Sequence, residues 1–252
     1  MNPVHPEEPV LEIDSPFNLP ESAPGSLHRI RSFVRREGRM TRAQHRALVD
    51  FWPRFGIAAD AALLDPVTVF GRRAPLVLEI GFGDGESLAV MASANREINY
   101  LGVEVHRPGI GHLLLRAATL DLNHLRVICA DAVVALQCQI PDEGLDRIQI
   151  FFPDPWPKMR HHKRRLIQPA FVTLVAQKLK LGGQLHIATD DEDYAHGILS
   201  LLNATPELTN QAIDNGFISR PASRPVTRFE RRGQRLGHAV WDLLFIRGDR
   251  RV

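Results

Sequence analysis

The sequence predicts an α/β fold with a mostly parallel central sheet, helices on both faces, and an antiparallel C-terminal strand. Three observations predict it. Short apolar runs of strand length alternate with helical segments through the middle of the chain. Alternation of this kind builds parallel sheets whose two faces are both covered. The 252 residues, 44% of them hydrophobic, suffice for one large core.

In chain order, residues 1–26 are expected to be a disordered tail. "MNPVHPEEPVLEIDSPFNLPESAPG" holds six prolines, five acids and no Lys or Arg. Residues 27–252 are expected to form a single domain, opened by a basic, helical extension over 29–46 that stands outside the alternation. "PLVLEI" (75–80), "NYLGVEV" (99–105), "HLRVICA" (124–130), "DRIQIFF" (146–152) and "GQLHIAT" (183–189) read as buried strands. "GESLAVMASANRE", "PGIGHLLLRAATLD", "DAVVALQCQ" and "RRLIQPAFVTLVAQKLK" read as the helices between them. Pro169 starts or bends the last of these, and "LKLGG" is expected to end it with glycine beyond the final turn. "HAVWDLLFIRG" (238–248) reads as a further strand, antiparallel and at or near an edge.

Composition excludes some classes. No apolar run approaches the roughly 20 residues of a membrane helix, and the N-terminus lacks the pattern of a signal peptide. The two cysteines, Cys129 and Cys138, lack metal-ligand spacing and are expected to be buried free thiols in a reducing cytoplasm. Net charge is only +2, yet segments 29–46, 158–165 and 220–235 together carry 18 of the 31 basic side chains against 2 of the 29 acids. Such segregation suggests a polyanionic partner, and the 27 arginines among those 31 suit phosphate contact and stacking on bases.

Each of the five parallel strands carries an acid at or just beyond its carboxyl end: Glu79, Glu104, Asp131, Asp154 and Asp190. Ligands of open α/β sheets bind outside those ends. Asp131 and Asp190 are also positioned to cap the following helices; Glu79, before a glycine loop, is not. In "LEIGFGDGES", Gly81, Gly83 and Gly85 permit a tight turn and close approach of a ligand. The dinucleotide pattern needs a glycine at position 86, which is Glu, and a pyrophosphate would meet Asp84 and Glu86. Glu104, 23 residues after Gly81, suits ribose hydroxyls. Ribose recognition without pyrophosphate recognition, in an acidic surround, suggests the cationic methyl donor S-adenosylmethionine. Asp131 would then accept from the adenine amino group, with the backbone at Ala132 beside the ring.

In "IQIFFPDPWPKMRHHKRR" (148–165), one carboxylate, Asp154, stands between two prolines, ahead of five Lys/Arg. Trp156 offers either a stacking face for a base or packing against the sheet edge. His161 and His162 read as phosphate or loop contacts, since no further metal ligands accompany them.

Taken together, "IRSFVRREGRMT", "LEIGFGDGESL", "GVEVHRPGIG", "FFPDPWPKMRHHKRR", "ATDDEDYA" and "TRFERRGQRLGHAVWDL" resemble the bacterial tRNA (guanine-N7)-methyltransferases over residues 30–247. The resemblance implies a Rossmann-like class I methyltransferase that modifies a variable-loop guanine, position 46, of tRNA. It implies cofactor contact at Glu79, Glu104, Asp131 and Asp154; because guanine N7 needs no general base, Asp154 is expected to be the catalytic carboxylate through orientation and electrostatics, with Asp190 as its helper. Substrate contact falls on Lys158, Asp190, Thr227, Arg228, Phe229 and Glu230. RNA contact falls on Arg160, His161, His162, Lys163, Arg164 and Arg165. Many relatives have histidine where Pro157 stands. No metal and no membrane association are implied, and both monomers and homodimers occur among bacterial relatives. Two other classes are weighed against this one: a nucleotide-dependent oxidoreductase on the same fold, and a non-enzymatic RNA-binding module.

Overall fold

A computed structural model describes residues 40–59, 62–235, 237 and 239–249. The expected tail (1–26) and most of the basic segment 29–46 therefore lie outside the described residues. The sheet is built from β2 (Leu76–Ile80), β3 (Asn99–Glu104), β4 (Leu125–Cys129), β5 (Leu145–Phe151) and β6 (Leu179–Thr189), all parallel. β1 (Gly56–Ile57) adds to the outer edge of β4. β8 (Trp241–Arg247) runs antiparallel to β6, and β7 (Leu208–Asn210) runs antiparallel to β8. The full order is β1-β4-β3-β2-β5-β6-β8-β7. The chain winds outward through β2, β3 and β4, then returns to β5 beside β2 and winds the other way. The switch point lies between β2 and β5, which is where α/β sheets open a crevice.

Both faces are covered, as the apolar strands require. Leu76, Leu78 and Ile80 of β2 pack with Phe171 and Val175 of α6 (Pro169–Lys178) and Ile198 of α7 (Glu192–Asn203). Val77, the alternate residue, belongs to the opposite face with Leu48 of α1 (Arg42–Phe55), Leu88 of α3 (Glu86–Ala94) and Leu113 of α4 (Arg107–Thr119). This is the period of two that directs successive strand residues to opposite sides. Helix α5 (Ala132–Cys138) joins the first face. Helix α1 confirms helical structure at the end of the basic segment. Thr41 and Gln44 form a reciprocal capping box at its start. Gly111 admits α1 against α4, because a Cβ there would lie 2.8 Å from the Gln44 carbonyl oxygen. Cys129 is buried and Cys138 half-buried; neither forms a disulfide among the described residues. Among the described residues no helix is long and apolar enough to cross a membrane.

One expectation is corrected. Pro169 starts α6, but "LKLGG" does not cap it: the helix ends at Lys178, and Leu179–Gly183 already belong to β6. The pairing with β5 slips between Leu145 and Arg147, and Gly182 adopts φ 78° there, so the glycine serves an irregular strand entry instead of a helix exit. The C-terminal strand is antiparallel and near the edge, as expected, one removed from it because the three-residue β7 continues the sheet beyond. Strand β7, α2 (Pro66–Phe70) and α8 (Arg228–Arg235) are further elements of the fold.

Candidate active site

The sheet order brings the five rim acids into one row. Along β4-β3-β2-β5-β6 the carboxyl ends carry Asp131, Glu104, Glu79, Asp154 and Asp190 in turn. Two cavities open above the β2/β5 switch point. One, of about 230 Å³, is lined by Val103, Glu104, Ala130, Ala132, Ile150 and Leu166 among others. The other, of about 570 Å³, is lined by Glu79, Asp84, Ser87, Asp190 and Thr227 among others. Gly81, Phe151, Phe152, Pro153 and Asp154 line both, so the two are neighbouring halves of one site.

The glycine loop is shaped by what surrounds it. Gly81 (φ 72°) and Gly83 (φ 59°) are left-handed and have open space where a Cβ would stand. Gly85 is also left-handed, but a Cβ there would meet Leu113 Cβ at 2.6 Å. The first two glycines therefore leave room toward the cavities, while the third lets α3 seat on α4. Glu104 stitches the loop to the rim: its carboxylate accepts from the backbone N–H of Gly83 (3.0 Å), Val105 (2.6 Å) and His106 (2.9 Å).

Glu79 is buried and accepts from Gln149 Nε2 at 2.9 Å. Burial, followed by the charges of Glu104 and Asp84, pushes its carboxyl up to about 7, against the Gln149 hydrogen bond that favours the anion. A raised carboxyl supports the fold while protonated and withdraws that support as pH rises from 4.5 to about 7. Glu79→Gln should therefore flatten the fall in stability over that window, measured as urea midpoints; a slope equal to the wild type's would contradict it.

Asp131 and Asp190 divide differently from expectation. Asp131 Oδ1 accepts from Val133 N–H at 2.8 Å and caps α5, so Ala130 and Ala132 form the cavity wall there. At the other strand end the helix cap is Asp191, which accepts from Tyr194 N–H at 2.8 Å, and Asp190 lines the larger cavity.

The Asp154 loop is strained and clamped. Phe152 (φ 54°) and Trp156 (φ 45°) are left-handed without being glycine, a conformation that the surroundings must enforce. Phe152 N–H donates to Ala188 O at 2.7 Å. Arg165 fastens the far side. It donates to Pro155 O (2.8 Å) and to Asp193 (2.7 Å), and its guanidinium lies 4.7 Å over the Tyr194 ring. Its side chain, expected to meet RNA phosphate, is 10% exposed and its fork is engaged by the loop. Arg165→Ala is expected to lower kcat roughly ten- to a hundredfold through loss of positioning. Lys should not rescue it, because the site is bidentate and stacked. A change confined to KM for tRNA, with a shallower salt dependence, would instead mark a phosphate contact.

Lys158, Arg160 and Lys163 are exposed on or beside the 3-10 turn Met159–Arg164. Trp156 supports that turn, with Arg164 over its ring at 5.0 Å and His161 edge-on at 5.9 Å. Partial burial, then the surrounding cations Arg160, Arg164, Lys158 and Lys163, draw His161 below the ordinary imidazole value. Of the six residues expected to meet RNA, Arg160, Lys163 and Arg164 thus form a cationic surface with His161 and His162 beside them, and Arg165 lies behind it.

Near the C-terminus, Thr227 lines the larger cavity, and its Oγ1 accepts from Glu230 N–H at 3.0 Å to start α8. The side chains of Arg228 and Phe229 lie outside the described residues. Glu230, expected to touch substrate, is buried, and both its oxygens accept from Arg224 (2.6 and 3.1 Å). Arg224 itself, which the motifs did not single out, is fully buried. It also donates to both oxygens of Asp242 at 2.8 Å and lies 5.7 Å over the rings of Phe151 and Phe152. Asp242 in turn meets His186 Nε2 at 2.8 Å. The signal that could have exposed this network was weak, because Arg224 and Asp242 are 18 residues apart and the pairing depends on β8 reaching β6.

The fold and the acid-rimmed glycine loop define an S-adenosylmethionine-dependent methyltransferase. A family of putative methyltransferases matches residues 73–243. The solved 16S rRNA (adenine(1408)-N(1))-methyltransferase from Catenulisporales acidiphilia, in mutant form, superposes with TM-score 0.51 at 16% identity, covering 75% of this chain and 94% of that one. Curated tRNA (guanine-N(7)-)-methyltransferases are far more similar in sequence. That of Serratia proteamaculans is 53% identical over 222 residues, 88% of this chain and 93% of the relative. That of Alcanivorax borkumensis is 52% identical over 219 residues, 87% and 92%. The chain belongs to the tRNA (guanine-N7)-methyltransferase family.

Proposed function

We propose that the protein methylates N7 of a guanine in tRNA, the variable-loop guanine at position 46, and does so in the cytoplasm. The observation that carries the reading is Asp154, which lines both halves of the cavity while the cationic turn begins five residues later. When bound, S-adenosylmethionine supplies an electrophilic methyl group on a cationic sulfur. The residues present fit that group: Gly81 and Gly83 leave an open cradle, and Glu79, Glu104 and Asp154 offer carboxylates to its cationic and hydroxyl-bearing parts. Asp131 sets the wall at Ala132 through its cap.

Guanine N7 carries a free lone pair at neutral pH, so no residue need remove a proton. What the protein must supply is orientation and a field suited to a base that becomes cationic. Asp154 meets that charge and, with Asp190 and Thr227, orients the base. Lys158, Arg160, His161, His162, Lys163 and Arg164 hold the phosphates around it, with Arg228 and Phe229 on the facing segment. Glu230 and Arg165 act one step back, as positioning residues. The target must be drawn out of its stack, since the major groove of RNA is deep and narrow.

The test is transfer of radiolabel from S-adenosylmethionine to unmodified tRNA transcripts, followed by nucleoside analysis. Label on guanine N7, lost when guanine 46 is replaced, is expected. Label on adenine, on cytosine or on protein overturns the reading. Because the interface is electrostatic, tRNA affinity should fall steeply with salt.

A further inference from the structure

Two segments far apart in sequence line the larger cavity: the loop from Phe151 to Asp154 and, near the C-terminus, Thr227. One side chain connects them. The Arg224 guanidinium is fully buried and lies 5.7 Å from the ring centres of both Phe151 and Phe152. Its fork is divided between two carboxylates. Nη1 and Nη2 donate to Glu230, whose backbone N–H donates to Thr227 Oγ1. Nε and Nη2 donate to Asp242 on β8. Asp242 also holds this segment through its backbone, since its carbonyl accepts from Ile218 N–H at 2.9 Å. The Asp242 carboxylate is fixed in turn by His186 Nε2, and that imidazole meets the Phe151 ring edge-on at 5.0 Å.

Stability alone does not call for such a network, because well-packed apolar side chains of similar volume commonly serve a core as well as a buried ion pair does. What a planar fork with five donors adds is direction. It fixes the two carboxylates relative to each other and relative to the rings beneath its face. Phe152 holds a left-handed backbone (φ 54°) that its surroundings must enforce, two residues before Asp154. We propose that Arg224 is a positioning residue for methyl transfer: without touching substrate, it sets the Asp154 loop and Thr227 in register with one another. The proposal rests on the reading of this cavity as the place where guanine is methylated.

Arg224→Lys tests it on the full chain, because lysine keeps the buried charge but loses the fork and the flat face. Single-turnover transfer to saturating tRNA transcript is measured well below each variant's melting temperature, and S-adenosylhomocysteine affinity is measured by calorimetry. The rate should fall about ten- to a hundredfold, the cost of a misplaced contact, while that affinity stays within about threefold. The same substitution is then made in Asp154→Ala. There it should cost less than about threefold, because the group that it positions is already gone. Asp242→Asn, which keeps the shape of its side chain, should repeat the pattern and serves if Arg224→Lys does not fold. A rate within about twofold of wild type overturns the proposal. So does an equal loss in both backgrounds, or a loss of S-adenosylhomocysteine affinity as large as the loss of rate. Wild-type protein that labels no guanine in the transcript is a distinct outcome, and it overturns the cavity reading together with the proposal.

Discussion

Asp154→Ala is expected to reduce turnover about 10²- to 10³-fold, the usual cost of removing one preorganised electrostatic contact from a transition state. Donor binding should survive within about tenfold, because Glu79, Glu104 and the glycine cradle remain. Stability should move by no more than about 0.5 kcal/mol, since Asp154 is exposed and the strained loop is held from other points. Asp154→Asn is the sharper variant. It preserves shape and one acceptor but removes the charge, so it should fall nearly as far as alanine if the carboxylate stabilises a guanine turning cationic. Single-turnover rates with saturating tRNA measure both. A rate for Asp154→Asn close to wild type would show that the oxygen position matters and the charge does not. A rate for Asp154→Ala close to wild type would remove the residue from the mechanism.

Arg224→Met should have the largest effect on stability, about 3–5 kcal/mol, because it strands Glu230 and Asp242 in the interior without their cation. Burial alone would lower the Arg224 pKa, but these two carboxylates hold it above the ordinary value, and Asp242 lies below its own despite burial. Both shifts mark a pair that is ionised in the fold. The triple variant Arg224→Met, Glu230→Gln, Asp242→Asn should recover part of the loss, since neutral amides cost less to bury than unpaired anions. Urea unfolding gives the comparison. A single variant that loses less than about 1 kcal/mol would mean that water reaches the site and that the network carries little.

The parallel strands were legible because each is a continuous apolar run, and their boundaries agree with the observed ones to within a residue or two, except at the start of β6. The rim acids were legible for the same reason: once a strand end is known, the next acid is on the ligand side of the sheet. The irregular entry to β6 was hidden, because "LKLGG" satisfies the chemistry of a helix exit as well as that of a bulged strand. Strand β7 was hidden by its length of three residues. Within the site, positive charge was legible but its use was not. Arg164 and Arg165 are neighbours in one basic run, yet one lies over Trp156 and the other is turned inward onto Pro155 and Asp193. The inward orientation of Glu230 was hidden because a motif records which residue is present and not which way it faces. Its partner Arg224 becomes visible only when the chain has folded back through β8.

That return has a consequence for synthesis. β8 is threaded between β6 and β7, and it delivers the Asp242 carboxylate on which Arg224, and through it Glu230 and the Thr227 wall, is fastened. The ribosome makes this strand after every other element described here. A nascent chain halted before residue 241 holds the complete acid rim but lacks Asp242, the carboxylate on which Arg224, and through it Glu230 and Thr227, is fastened.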